Sequence, residues 1–295
     1  MRTYEEYRNL AEEHLLDPFP EQDKEASVLF DSMFYSLTAG GKRLRPALLL
    51  ASCELAGGKA EDALTYASAI EYIHTYSLIH DDLPAMDNDD LRRGKKTNHI
   101  VFGAGMATLA GDGLLNTAFE IMAADIDSRI NRGEDAFRFV KAMRAIAEGA
   151  GVRGMVAGQT ADIKAEEGEG GQDLLTYIHL NKTAALIKAA IRAGLYIGGA
   201  SSEMVEAMSS YADDLGIAFQ IADDILDVKS TADELGKPIG SDEENGKLTY
   251  VSLNGLTHSE EKLKALTDEA CDIADRYDKD GFFRALAEKL EKRTR

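Results

Sequence analysis

Phe219-Gln220-Ile221-Ala222-Asp223-Asp224-Ile225-Leu226-Asp227 is the stretch on which the reading of the fold turns. On a helix, positions 220, 223 and 227 share one face. Ala218, Ile221, Ala222 and Ile225 fall on another side and form an apolar face. The pattern predicts one helix that packs through its small and branched residues and presents carboxylates elsewhere. Like charges four residues apart cost a bare helix a few tenths of a kcal/mol, about 0.2–0.5, and a cation between them reverses the sign. Carboxylates without histidine or cysteine are hard ligands, which selects Mg²⁺, Mn²⁺ or Ca²⁺ over zinc. A solvated acidic face is the other reading of the same residues.

Outward from this stretch the chain reads as helix nearly throughout. Apolar residues recur at three and four positions, as in Tyr66, Ala69, Ile73 and Tyr76, and sustained two-residue alternation is absent. No proline lies between Pro84 and Pro238, which suits a long series of helices. Breaks are predicted at Gly57-Gly58, Asp125 to Glu134, Glu166 to Gln172, Gly198 to Ser202 and Thr231 to Lys247. No shift in composition marks a linker, so residues 1–295 are expected to form one all-α domain.

A second acidic cluster lies upstream, in Ile79-His80-Asp81-Asp82-Leu83-Pro84-Ala85-Met86-Asp87. The position four after Asp81 is Ala85, so a straight helix cannot bring Asp87 onto the face of Asp81. Pro84 and the two additional residues predict a bulge that turns Asp87 back. Arg92-Arg93 follow. Carboxylates beside paired arginines suit a metal-bridged diphosphate, with metal on one set of oxygens and guanidinium forks on another. An acidic surface loop broken by proline is the alternative. Gly40-Gly41-Lys42-Arg43-Leu44-Arg45-Pro46 is a basic cluster, or a solvated helix start. Lys182-Thr183, Lys237 and Lys247 are further candidate phosphate contacts, and each is equally readable as a surface lysine.

Bulk properties narrow the partners. The net charge of −19, from 33 basic and 52 acidic residues, repels nucleic acid and anionic lipid. It also repels phosphorylated substrates unless metal ions or a local basic cluster intervene, which is the combination found. Cys53 and Cys271 form no metal or disulfide pattern. The first residues lack the apolar core of a signal peptide and no apolar run is long enough to span a bilayer, so a cytoplasmic location is expected. Gly149-Ala150-Gly151-Val152-Arg153-Gly154 matches a dinucleotide-binding glycine pattern, but it follows a helical stretch rather than a strand.

These motifs, in this order, resemble the trans-isoprenyl diphosphate synthase family, most of all its bacterial farnesyl-forming members. The likeness runs from about Phe34 to Arg295 and includes Gly158-Gln159-x-x-Asp162 and Gly236-Lys237. It implies the isoprenoid synthase fold, about a dozen helices around a central cavity, as a homodimer. It implies a Mg²⁺-dependent prenyltransferase, with three ions per active site, that joins isopentenyl diphosphate to an allylic diphosphate. Asp81, Asp87 and Asp223 are the implied metal ligands, supported by Asp82, Asp224 and Asp227. Arg92, Lys182 and Lys237 would hold the allylic diphosphate, and Lys247 would be a further substrate contact. Lys42, Arg45, His74 and Arg93 would hold isopentenyl diphosphate, with Gly41 a further substrate contact, and Thr183 and Gln220 would line the carbocation site. Tyr76 and Ser77 would floor the hydrophobic pocket, and a bulky Tyr76 resembles the C15 pattern rather than C20. Lys96 stands where the family commonly has proline. A non-catalytic synthase subunit and a terpene cyclase are the competing classes. The intact aspartates speak against the first, and the basic Lys42/Arg45 cluster with the second aspartate motif speaks against the other. A histidine–aspartate metallophosphohydrolase leaves the second aspartate cluster unexplained.

Overall fold

A computed structural model describes residues 1–166, 170–229 and 248–292. The helices are α1 (Tyr4–Glu13), α2 (Ser27–Leu37), α3 (Leu44–Leu55), α4 (Leu64–Asp81), α5 (Asn98–Phe102), α6 (Ala104–Asn131), α7 (Phe137–Ala150), α8 (Met155–Glu166) and α9 (Gln172–Ile178). A π-helical segment, His179–Ala184, leads into α10 (Ala185–Gly198). Then come α11 (Ser202–Lys229), α12 (Tyr250–Asn254), α13 (Leu256–Tyr277) and α14 (Phe282–Lys292). The all-α expectation is met.

Helix α4 is the axis of the molecule. From Tyr66 to Ile79 it is buried on almost every side, which is the pattern of a helix wholly inside a core rather than on its surface. It packs chiefly on α6 and α3, and α3 packs on α10. Gly194 permits that last approach, because a Cβ there would come within 2.1 Å of the Leu49 carbonyl oxygen. One hydrophobic cluster joins residues from Tyr7 to Leu290. A second cluster lies behind α11, where Ala218, Ile221, Ala222 and Ile225 pack against Leu263 and Leu266 of α13. The apolar face read from the sequence is thus the buried face. No helix among the described residues is long and apolar enough to cross a membrane.

Two local features depart from the sequence reading. The break predicted to open at Asp125 does not occur there, and α6 continues to Asn131. Arg129 accounts for this, bonding Asp125 one turn back at 2.8 Å and lying over the Phe139 ring at 3.7 Å. The second is a short antiparallel hairpin, β1 (Leu91–Arg92) with β2 (Lys95–Lys96). Arg93 and Gly94 both have positive φ, 54° and 74°, the two-residue turn that matches strand twist. The hairpin separates the paired arginines, leaving Arg92 half-buried and Arg93 at the exposed turn.

Candidate active site

A cavity of ≈ 550 Å³ runs between α4, α6, α8 and the π-helical segment. Among the predicted residues it brings together Arg45, His74, Tyr76, Ser77, Asp81, Lys182 and Thr183. Gly41, Lys42, Asp82, Asp87, Arg92, Arg93, Gln220 and the second aspartate cluster do not line it. Lys237 and Lys247 lie outside the described residues.

The first cluster is shaped at the C-terminus of α4. Beyond Asp82 the chain folds back through Pro84, and the Asp87 amide donates to the Asp81 carbonyl at 2.9 Å. The same loop sends the Asn88 amide to the Leu83 carbonyl at 3.1 Å, with Asn88 left-handed at φ 53°. Asp87 therefore returns to Asp81 through its backbone, as the bulge reading requires. The two neighbouring aspartates diverge. Asp81 lines the cavity and accepts from Gln159 Nε2 at 2.6 Å, with Lys182 Nζ at 3.9 Å. Asp82 is buried and holds Arg92 in a two-pronged pair, Nε at 2.7 Å and Nη2 at 2.6 Å. Burial pushes both carboxyls up; Lys182 pulls Asp81 back, and Arg92 does so for Asp82.

Lys182 is set by backbone geometry. A π turn re-aims side chains relative to the α-helix it interrupts, and such turns recur at functional sites. Here two glycines clamp it. A Cβ on Gly158 of α8 would lie 2.0 Å from the Lys182 nitrogen, and one on Gly216 of α11 would lie 2.3 Å from the Ala184 Cβ. Lys182 pairs with Asp162 at 2.6 Å. Burial works against its charge, but Asp81 and Asp162 outweigh burial and hold the ammonium above the usual lysine range. Thr183 donates to the Gln220 carboxamide oxygen, which ties the segment to α11.

The second cluster lies in the last two turns of α11, with its three carboxylates half-buried. Asp224 accepts from the Tyr250 amide at 2.7 Å, satisfying the first donor of α12. The basic loop reaches over this helix, since the Lys42 ammonium lies 5.4 Å from the Phe219 ring centroid.

At the other end of the cavity the charge is cationic. Arg45 lines it, and its buried Nε has no hydrogen-bond partner. Burial, helped by Arg93, lowers the Arg45 guanidinium to about 10. Burial and the nearby Arg45 and Arg93 keep His74 neutral, well below the ordinary histidine value. An orphaned donor beside clustered cations is a place for anionic oxygens. Gly41 leaves room for Arg93, whose guanidinium would meet a Cβ there at 2.5 Å and which donates to the Gly40 carbonyl.

Four residues here had no role in the sequence reading. Gln159 and Asp162 were visible only as part of Gly158-Gln159-x-x-Asp162; their spacing of three puts both on one face of α8. Arg43 and Glu71 form a buried pair at 2.6 Å beneath the basic loop, with Glu12 also on Arg43 at 2.5 Å. Arg43 is left-handed at φ 48°, and nothing in the local sequence announces a partner 28 residues on.

Oxygen-only donors fit a hard divalent cation. Among the described residues no three such side chains stand close enough together to hold one. That is the usual state of a magnesium site, in which one or two carboxylates serve and substrate phosphates complete the shell. Asp81 fits the role, being desolvated and near the charge of Asp87.

An all-α body around a cavity that holds Asp81 and Lys182 together with Arg45 and His74 is the architecture of an isoprenoid synthase. Residues 26–286 match the polyprenyl synthetase family, and the chain belongs to it. It is a trans-prenyltransferase. It is 47% identical to the farnesyl diphosphate synthase of Geobacillus stearothermophilus, over 86% of this chain and 84% of that one. It is 46% identical to the geranylgeranyl diphosphate synthase of Cyanophora paradoxa, over 83% and 80%. The solved geranyltransferase of Legionella pneumophila superposes with a TM-score of 0.86 at 30% identity, covering 99% of this chain and 96% of that one.

Proposed function

We propose that this prenyltransferase condenses isopentenyl diphosphate with dimethylallyl or geranyl diphosphate and releases farnesyl diphosphate and pyrophosphate. The observation that carries the reading is the polarity of one cavity, with Asp81 and Lys182 at one end and Arg45 and His74 at the other. Separate Mg²⁺ ions, held by Asp81 and Asp87 and by Asp223, would supply Lewis-acid stabilisation of the charge developing on the leaving pyrophosphate. Lys182 holds the allylic diphosphate. Asp82 acts through Arg92 and Asp224 through α12, so both serve by support rather than by ligation. Arg45, Arg93 and Lys42 hold isopentenyl diphosphate, and neutral His74 offers it one donor. Thr183 faces the carbocation, and Gln220, already hydrogen-bonded to it, holds it there. The chain works as a single domain, as a cytoplasmic homodimer.

Tyr76 supports the C15 product. It is buried, lines the cavity one turn before His80, and packs edge-on against that ring at 5.6 Å. The Cyanophora relative favours a second reading, a C20 product. Labelled isopentenyl diphosphate is incubated with Mg²⁺ and each allylic partner, and the dephosphorylated prenols are separated by length. A C15 prenol is expected, longer in Tyr76→Ala. A dominant C20 product in the unaltered enzyme would overturn the farnesyl assignment, and no elongation at all would overturn the activity.

A further inference from the structure

The glycine-rich turn Gly149 to Gly154 is absorbed neither by a dinucleotide site nor by the prenyl-transfer cavity. It connects α7 to α8 and lines a separate cavity of ≈ 460 Å³ on the other side of the π-helical segment. The floor is made of small residues at helical spacing, Ala145 and Gly149 of α7 and Ala185 and Ala189 of α10. Gly149 is required there, because a Cβ would lie 2.6 Å from that of Ala189.

The walls are charged in a direction opposite to the rest of the molecule. Arg153, Lys188 and Arg192 face Glu148 and Asp213. Glu148 is bonded at 2.8 Å by Arg144 from the adjoining cavity, and Asp213 is bonded at 2.6 Å by Lys188. Three cations against two acids line the groove, and with Glu148 taken by Arg144 and Asp213 by Lys188 two guanidinium groups are left over, in a chain of net −19. Arg153 and Arg192 carry that excess, and neither forms an ion pair among the described residues. Arg192 spends one nitrogen on the Tyr196 hydroxyl at 3.0 Å, while its buried Nε has no partner. Like charges held together with an orphaned donor cost stability unless an anion joins them.

We propose that this groove is a second anion site, taking the diphosphate group of free pyrophosphate or of a prenyl diphosphate. The choice of diphosphate rests on the proposed reaction; the site itself does not. Leu180 and Asn181 line the groove, and Lys182 and Thr183, the next residues of the same π-helical segment, line the prenyl-transfer cavity. An anion here would press on the segment that sets Lys182.

Isothermal titration of the full chain with pyrophosphate, without divalent metal, tests this. Binding is expected to persist in Lys182→Gln and to weaken about tenfold or more in Arg192→Gln, the loss of one charge-assisted bond. Asp213→Asn releases Lys188 and is expected to tighten binding about threefold, well under the tenfold that 1.4 kcal/mol represents, an effect that misfolding cannot mimic. Tighter binding of geranyl diphosphate than of pyrophosphate assigns the groove to prenyl diphosphates; equal binding assigns it to pyrophosphate. Binding abolished by Lys182→Gln yet unaltered by Arg192→Gln and Asp213→Asn would overturn the site, as would no binding at all. The product assay with metal reads the prenyl-transfer cavity independently of either result.

Discussion

The two aspartate clusters look alike in sequence and are built on opposite principles. The first ends a helix. Asp81, Asp82 and Asp87 depend on a backbone turn, an arginine pair and a carboxamide drawn from α8. The second lies wholly within the last two turns of α11, where regular helix geometry places its carboxylates and an apolar face behind them fixes the helix. In both, the second aspartate of the pair supports the frame: Asp82 anchors the hairpin through Arg92, and Asp224 anchors α12 through the Tyr250 amide. What differs is what the support costs when it fails. Asp82 sits in the interior with a full counter-charge, whereas half-buried Asp224 accepts from an uncharged backbone amide at a helix start.

The comparison breaks most visibly at Arg92. Arg92→Met leaves Asp82 buried without its partner, and the expected loss is about 3–5 kcal/mol of stability, the range for removing one partner of a buried pair. Denaturant unfolding measures it, and a loss near that of an exposed pair would place Asp82 in water. Next is Asp81→Asn, expected to lower kcat by about 10²–10³-fold, as for removal of one charge-stabilising group in an active site. The same variant sharpens the contrast between catalysis and stability. The Asp81 carboxyl is raised in the fold, chiefly by burial, so the folded state binds its proton more tightly than the unfolded one. Ionisation therefore subtracts stability as pH rises through the interval from its ordinary value to its raised value. Without metal at pH 7, Asp81→Asn is expected to melt slightly above the parent, and the advantage is expected to vanish at pH 3. The smallest effect belongs to Asp224→Ala, about 1 kcal/mol, the loss of one helix-start acceptor.

The legibility of the two clusters follows the same division. Gln220, Asp223, Asp227 and the apolar face of α11 could be read directly, because helical periodicity is a local property. The bulge after Pro84 was also legible, since the spacing from Asp81 to Asp87 admits no straight helix. The partners were not. Arg92 is ten residues from Asp82, and Gln159 is 78 from Asp81; nothing in a local window pairs them. The hairpin at Arg93-Gly94 was missed because two-residue strands show no alternation. The continuation of α6 through Asp125 was missed because polar residues that resemble a loop are the exposed turns of a long helix, stapled by Arg129.

The π-helical turn at His179–Ala184 has one further consequence. It carries one residue more than an α-helix needs to join α9 to α10, so the facing of Lys182 is stored as a residue count and not in any side chain. Deleting one residue from 179–181 would let regular helix close through the gap and swing Lys182 by about 100°, the angle per residue of an α-helix. The close packing on Gly158 and Gly216 would be disturbed as well, and the lysine would point away from Asp81. Indels in this six-residue window are therefore a sharper mark of lost activity among homologous chains than substitutions at the same positions.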